Sequence, residues 1–201
     1  MFGERKRRGG DLHGDPDRQI AGVSRRSFLA LAACGVAATF LPTIASASFV
    51  PLPAARRLSF YNLHTDECVE TCYWEDGAYI PTALEQFNVV LRDHRTGETR
   101  QMSPGLIDLV YALSASLGNS APVQVISGYR SPATNALLHS VDPGHVAEQS
   151  LHLTGEAVDL CFENRPLCQV RDTALALRGG GVGYYPKSGF VHVDIGRVRS
   201  W

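Results

Sequence analysis

Two kinds of apolar spacing run through residues 57–201. Arg57 to Leu63 and Cys68 to Tyr73 read as two strands, and His64-Thr65-Asp66-Glu67 between them reads as the turn of a hairpin. Thr82 to Arg92 carries Leu84, Phe87, Val90 and Leu91, and Pro104 to Leu117 carries Leu106, Leu109, Val110 and Leu113. Both sets are spaced for one face of a helix. Val123 to Ile126 is a short strand that leads through Ser127-Gly128-Tyr129-Arg130-Ser131 into a helix over Pro132–Ser140, with proline at its first position. Residues 141–150 read as an exposed loop. Glu156 to Cys161 is a strand, and Pro166 to Leu177 is a helix stopped by Gly179-Gly180-Gly181. Val182 to Tyr185 and Phe190 to Ile195 form a final hairpin across Pro186-Lys187-Ser188-Gly189. Strands and helices do not alternate strictly, so the expected class is α+β, a mainly antiparallel sheet with flanking helices.

The first 47 residues lack this patterning. Ser24-Arg25-Arg26-Ser27-Phe28-Leu29 precedes an uncharged, Ala-rich apolar stretch, Leu29 to Ile44, which ends in Ala45-Ser46-Ala47. A charged segment, an apolar segment and a small-x-small site make a secretory signal. The paired arginines make it the twin-arginine type, which implies the twin-arginine export machinery as a partner and the periplasm as destination. Two other readings are a buried N-terminal helix, disfavoured because no amphipathic face is visible, and a lipobox at Leu31–Cys34 with Cys34 lipidated. Against the lipobox, the apolar stretch continues for ten residues past Cys34. The expected organisation is a signal over 1–47, a Pro-rich linker over 48–56 and one domain over 57–201.

Composition narrows the function classes. The 201 residues carry a net charge of −1, and 44% are hydrophobic. This excludes a collagen-like or disordered chain and argues against nucleic-acid binding, which calls for a basic excess. Removing residues 1–47 leaves 154 residues with 12 basic and 16 acidic side chains, an acidic domain of net charge −4 that we expect to be monomeric. Cys68, Cys72, Cys161 and Cys168 remain, and an even count in an exported chain favours disulfides. In a continuous strand Cys68 and Cys72 would lie about 13 Å apart, too far to bridge. A local bridge between Cys161 and Cys168, across the turn-like Asn164-Arg165-Pro166, is open. The spacings do not match the usual four-cysteine zinc knuckles.

The chemistry concentrates in two stretches. In Ser150-Leu151-His152-Leu153-Thr154-Gly155-Glu156-Ala157-Val158-Asp159, an imidazole and a carboxylate are separated by a glycine-permitted turn and a strand, so they can converge. In Phe190-Val191-His192-Val193-Asp194-Ile195, strand alternation puts Val191, Val193 and Ile195 on the core face and Phe190, His192 and Asp194 on the other. His152, Asp159 and His192 can then make a two-His, one-carboxylate set, the alternative being that each histidine is a surface or satisfied core residue. Three protein ligands leave a fourth position for water, as a catalytic zinc requires. The helix-borne motifs H-E-x-x-H and H-x-x-E-H are absent.

These motifs, in this order, resemble the peptidoglycan zinc peptidases of the D-alanyl-D-alanine dipeptidase/carboxypeptidase superfamily, and within it an exported murein endopeptidase branch. The resemblance rests on Ser127–Ser131, on Ser150-x-His152-x-x-Gly155-x-Ala157-x-Asp159, on Gly180–Tyr185 and on Phe190–Asp194. Asn62-Leu63-His64-Thr65 and Gly196-x-x-Arg199-x-Trp201 extend it over nearly the whole domain. It implies one Zn2+ held by His152, Asp159 and His192, peptidoglycan stem peptides and cross-links as substrate, and a functional arginine at Arg130. Related dipeptidases place a glutamate base where this chain has Gly189. Asp194 is then the candidate base, or else it orients a ligand or Arg130. Arg130 is expected to bind a substrate carboxylate or stabilise an oxyanion, unless it forms a structural ion pair. Ser150 and Tyr129 are candidate substrate contacts. His139 and His145 are read as solvent-exposed. The expected activity is endopeptidase cleavage of meso-diaminopimelate cross-links. D-alanyl-D-alanine carboxypeptidase activity and a non-catalytic peptidoglycan-binding module are the alternatives.

Overall fold

A computed structural model describes residues 54–144 and 146–201; the expected signal, Cys34 and His145 lie outside them. In chain order the elements are β1 (Ala55–Asn62), β2 (Cys68–Glu75), β3 (Ala78–Tyr79), α1 (Pro81–Val90), α2 (Pro104–Ser116), β4 (Val123–Ser127) and α3 (Pro132–Val141). A 3-10 turn (Leu151–Thr154) follows, then β5 (Ala157–Cys161), α4 (Leu167–Leu177), β6 (Gly181–Tyr185), β7 (Phe190–Asp194) and β8 (Arg199–Ser200). The strands form one eight-stranded sheet in the order β3-β2-β1-β4-β5-β7-β6-β8. β1 pairs with β4, and β6 with β8, in parallel; every other pairing is antiparallel. The α+β class and the mainly antiparallel sheet hold. No helix of the described residues is long and apolar enough to cross a membrane.

The strands form where alternation permits one face to be buried. In β1, Leu58, Phe60 and Asn62 are buried while Arg57, Ser59 and Tyr61 face outward, and the Tyr61–Cys68 register closes the hairpin. The strand begins at Ala55, two residues inside the expected linker. Proline occupies the first turn of α1, α2 and α3, where its missing N–H costs no hydrogen bond. Phe87 of α1 meets Phe60 edge-on at 5.0 Å, and Leu106, Ile107, Val110 and Leu113 of α2 are buried with them in the core. Val170 and Ala174 bring α4 into the same core. α4 ends on Arg178, which itself adopts the left-handed conformation at φ 53°, rather than on the glycines that follow.

This core side fixes what the opposite side presents. Val158 pairs with Val193, and Leu160 with Val191, on the buried face; Asp159 pairs with His192 on the other. Gly155 ends the 3-10 turn at φ 74°, where its missing side chain lets the backbone of Gln101 and Met102 approach. Ser103 N donates to Gly155 O at 2.9 Å, which ties that turn to the start of α2. The turn therefore enters the core edge with His152 already aimed at β5 and β7.

The expectation of disulfides changes, while that of no bridge between Cys68 and Cys72 holds. Cys68, Cys72, Cys161 and Cys168 are all free. Cys161 Sγ donates to Gln124 Oε1 at 3.2 Å, across β5 and β4, and Cys72 Sγ donates to Trp74 O at 3.3 Å. The Cys161–Cys168 bridge does not form: Cys161 closes a strand beside β4, while Cys168 is an exposed residue of α4.

Candidate metal centre

Three donor atoms meet at the edge of a cleft of about 980 Å³. His152 Nε2, His192 Nδ1 and Asp159 Oδ1 form a triangle with sides of 3.2 Å, 2.8 Å and 3.3 Å. All three residues are buried, and all three line the cleft. Each is placed by a different element: the 3-10 turn carries His152, β5 carries Asp159 and β7 carries His192.

The protons on the two imidazoles are set from behind. Gly128 O lies 2.7 Å from His152 Nδ1 and can only accept, so Nδ1 carries the hydrogen and Nε2 turns its lone pair inward. On His192, Nε2 donates to Asp194 Oδ2 at 3.1 Å, which leaves Nδ1 facing Asp159. With both rings neutral, three lone pairs converge within hydrogen-bonding distance and have no hydrogen to share. Such a cluster calls for a cation. A tetrahedral zinc with bonds of ~2.0–2.1 Å spaces its ligand atoms about 3.3 Å apart, close to the triangle seen here. His and carboxylate donors suit that ion, so the residues fit zinc. Among the described residues this is the one cluster of three or more His, Cys, Asp or Glu side chains that converge in this way.

The electrostatics agree with that requirement. Burial keeps His152 neutral, pushing its pKa down. Burial also acts against charge on His192, but Asp159 and Asp194 outweigh it and lift its pKa to about 9. A proton on His192 is thus what the three-donor cluster takes up when it has no metal. Burial would raise Asp159, yet the two histidines hold it well below the usual carboxylate range.

Around the donors, Arg130 Nη2 reaches Asp159 Oδ2 at 3.4 Å and Nη1 reaches Asn135 Oδ1 at 3.4 Å, while its Nε is buried with no partner. Arg130 is held in place because its backbone N donates to His152 O and because Asp93 Oδ2 accepts from Ser131 N at 2.8 Å, pinning the start of α3. Asp194 is completely buried. Its Oδ1 accepts from Gly181 N, Gly196 N and Arg199 Nη1, and its Oδ2 from Arg199 Nη2 and His192 Nε2. Burial is outweighed by these partners, which hold its carboxyl well below the usual range.

Most residues singled out in the sequence come together here, but not all. Ser150 lines the cleft, and its hydroxyl caps the 3-10 turn by accepting from His152 N. Tyr129 does not reach the cleft: its side chain lies in the hydrophobic core, because its N–H bonds Leu91 O and turns the residue inward. His139 is half-buried, with Nδ1 2.6 Å from Val146 O, rather than solvent-exposed. Gly189 sits exposed in the β6–β7 turn, bonded back to Tyr185 O. Sequence reasoning gave no role to Arg199, Trp201 or Asn135; only the closing Gly-x-x-Arg-x-Trp motif hinted at the first two.

The comparisons with known proteins converge on one family. The family model described as "Peptidoglycan L,D-endopeptidase MepK" matches residues 51–201. "Peptidoglycan L,D-endopeptidase MepK" of Escherichia coli (strain K12) is 42% identical over 179 residues, spanning 89% of this chain and 97% of that protein. "Probable peptidoglycan L,D-endopeptidase MepK" of Haemophilus influenzae is 37% identical over 179 residues, spanning 89% of this chain and 95% of that protein. No solved structure matches. With the sheet, the converging donors and a match running from before β1 to the last residue, the chain belongs to the peptidoglycan L,D-endopeptidase MepK family.

Proposed function

We propose that this protein is a zinc-dependent peptidoglycan endopeptidase that hydrolyses the L,D bond of cross-links between meso-diaminopimelate residues. It acts in the periplasm, delivered there by the twin-arginine route. The observation that carries the reading is the triangle of His152 Nε2, Asp159 Oδ1 and His192 Nδ1, three donors oriented for one cation at the edge of an open cleft. Family membership supports the substrate.

His152, Asp159 and His192 would hold the ion. When bound, zinc supplies a Lewis acid for the scissile carbonyl and makes water acidic enough to attack near neutral pH. The cleft receives the peptide against the aromatic side chains of the β6–β7 hairpin. Arg130, fixed through Asp159 and Asn135, offers its guanidinium to the carbonyl oxygen as negative charge develops there. Asp194 orients His192. A base needs a lone pair within reach of the reacting water, and both Asp194 oxygens are already engaged in a fully buried site.

The purified protein is incubated with cross-linked muropeptides, with zinc or with chelator, and the products are resolved by mass spectrometry. Dimers linked between two diaminopimelate residues fall to monomers with zinc alone, and His192→Ala leaves them intact. Loss of a single alanine without dimer cleavage would make the enzyme a carboxypeptidase. Muropeptide binding without any mass change would make it a binding module.

A further inference from the structure

Asp194 explains one edge of the His192 ring, and the last strand explains how Asp194 itself is held. β8 runs parallel to β6, with Arg199 opposite Gly181. Trp201 N donates to Val182 O at 3.2 Å, and Trp201 O accepts from Tyr184 N at 3.1 Å. This short pairing delivers two side chains to the back of His192. The Arg199 guanidinium forks onto Asp194, Nη1 to Oδ1 at 3.1 Å and Nη2 to Oδ2 at 2.8 Å. A planar fork fixes the plane of a carboxylate, which a lysine point charge does not. The same Oδ2 then accepts from His192 Nε2.

The second side chain closes the face of the ring. The Trp201 indole lies 5.3 Å from the His192 ring, tilted by 49°. It is held there by the Arg199 guanidinium, 4.8 Å above it, and by its own Nε1, which donates to Tyr185 Oη at 2.7 Å. Gly183, opposite His192 on β6, leaves the space for this: a Cβ there would come within 2.8 Å of both the Trp201 and Tyr185 rings. The imidazole torsion has a broad, two-fold preference, so packing must choose the orientation. Turning the ring over would put the carbon Cδ2 where Nδ1 stands and take the ring's nitrogen away from Asp159 and the metal position.

We propose that Arg199 and Trp201 are positioning residues that lock the His192 ring, from edge and face, and so set the affinity of the His152–Asp159–His192 site for zinc. The inference rests on the zinc reading of that site. It also predicts an outcome opposite to simple electrostatics. Removing the Arg199 cation takes positive charge away from a cation site and by itself would strengthen zinc binding. A weakened affinity therefore reports lost orientation.

The test is a competition titration of zinc against a chromophoric chelator, using the full chain and its Arg199→Gln, Arg199→Lys, Trp201→Ala and Trp201→Phe variants. Circular dichroism of each metal-free variant accompanies it. Arg199→Gln and Trp201→Ala should keep the parent's spectrum and bind zinc about 10-fold or more weakly, the usual effect of removing a group that supports a ligand. Arg199→Lys should fall between, and so should Trp201→Phe, which keeps an aromatic face against His192 but loses the bond to Tyr185. A folded Arg199→Gln binding zinc within twofold of the parent overturns the proposal. If Arg199→Gln does not fold, the tryptophan pair decides: parent-like affinity in Trp201→Ala overturns it. A parent that takes up no zinc overturns the zinc reading itself, and this inference with it.

Discussion

Asp159 divides three neighbours between its two oxygens. Oδ1 faces the histidines, and Oδ2 answers the buried Arg130. Asp159→Asn keeps the shape and removes the charge, leaving the guanidinium buried without its counter-ion. In urea denaturation of the metal-free protein this substitution should cost about 3 kcal/mol, the usual size for stranding one partner of a buried pair. Arg130→Ala should lower kcat about 100-fold, with zinc content unchanged, as for removal of an oxyanion donor; steady-state kinetics alongside metal analysis checks it. Parent-like kcat with a raised KM would assign Arg130 to substrate binding instead. That His152, Asp159 and His192 come together was legible in the chain, because alternation in β7 and the glycine before β5 place them on one side. Tyr129 was not, because a turn residue carries no periodicity and only the Leu91 contact shows which way it faces.

The junction of β4 and α3 turns on Asp93. Its Oδ2 accepts from Ser131 N, and its Oδ1 from Arg95 N at 2.9 Å. Burial raises this carboxyl, but hydrogen bonds from Thr134, Ser131 and Arg95 hold it well below its usual range. A group depressed on folding contributes stability above its unfolded pKa, near 3.8, and loses it as pH falls. Asp93→Asn should therefore be less stable than the parent at pH 7, by about 1–3 kcal/mol, with the gap narrowing below pH 4. Denaturant melts across pH measure this, and a gap that stays constant with pH would refute it. At this scale the helix starts were legible, since Pro81, Pro104 and Pro132 mark them. The two-residue strands β3 and β8 were not, because two residues cannot show a period of two. Arg178 at a helix end is likewise invisible beside three glycines.

Across the whole molecule, proton, metal and fold are linked through one ring. The metal-free His192 pKa is raised to about 9 from 6.5. Its contribution to stability is fully present below pH 6.5 and is lost as pH rises through about 9. Zinc must displace that proton, so binding at pH 7 should release about one proton per ion. Calorimetry in buffers of differing ionisation enthalpy would read it directly. Among the described residues the sheet, the four helices and the hairpins were legible as a pattern. The state of the thiols was not, since an even count says nothing about whether Cys161 and Cys168 meet.

The most direct measurement is zinc content against turnover. The purified protein is assayed for metal by mass spectrometry and for cleavage of diaminopimelate-linked dimers, before chelation, after it and after zinc is returned, with His152→Ala, Asp159→Asn and His192→Ala in parallel. One zinc per chain, with turnover that disappears and returns with it and fails in all three variants, is the predicted result. Undiminished cleavage by metal-free protein, or by a variant unable to hold zinc, would contradict the account.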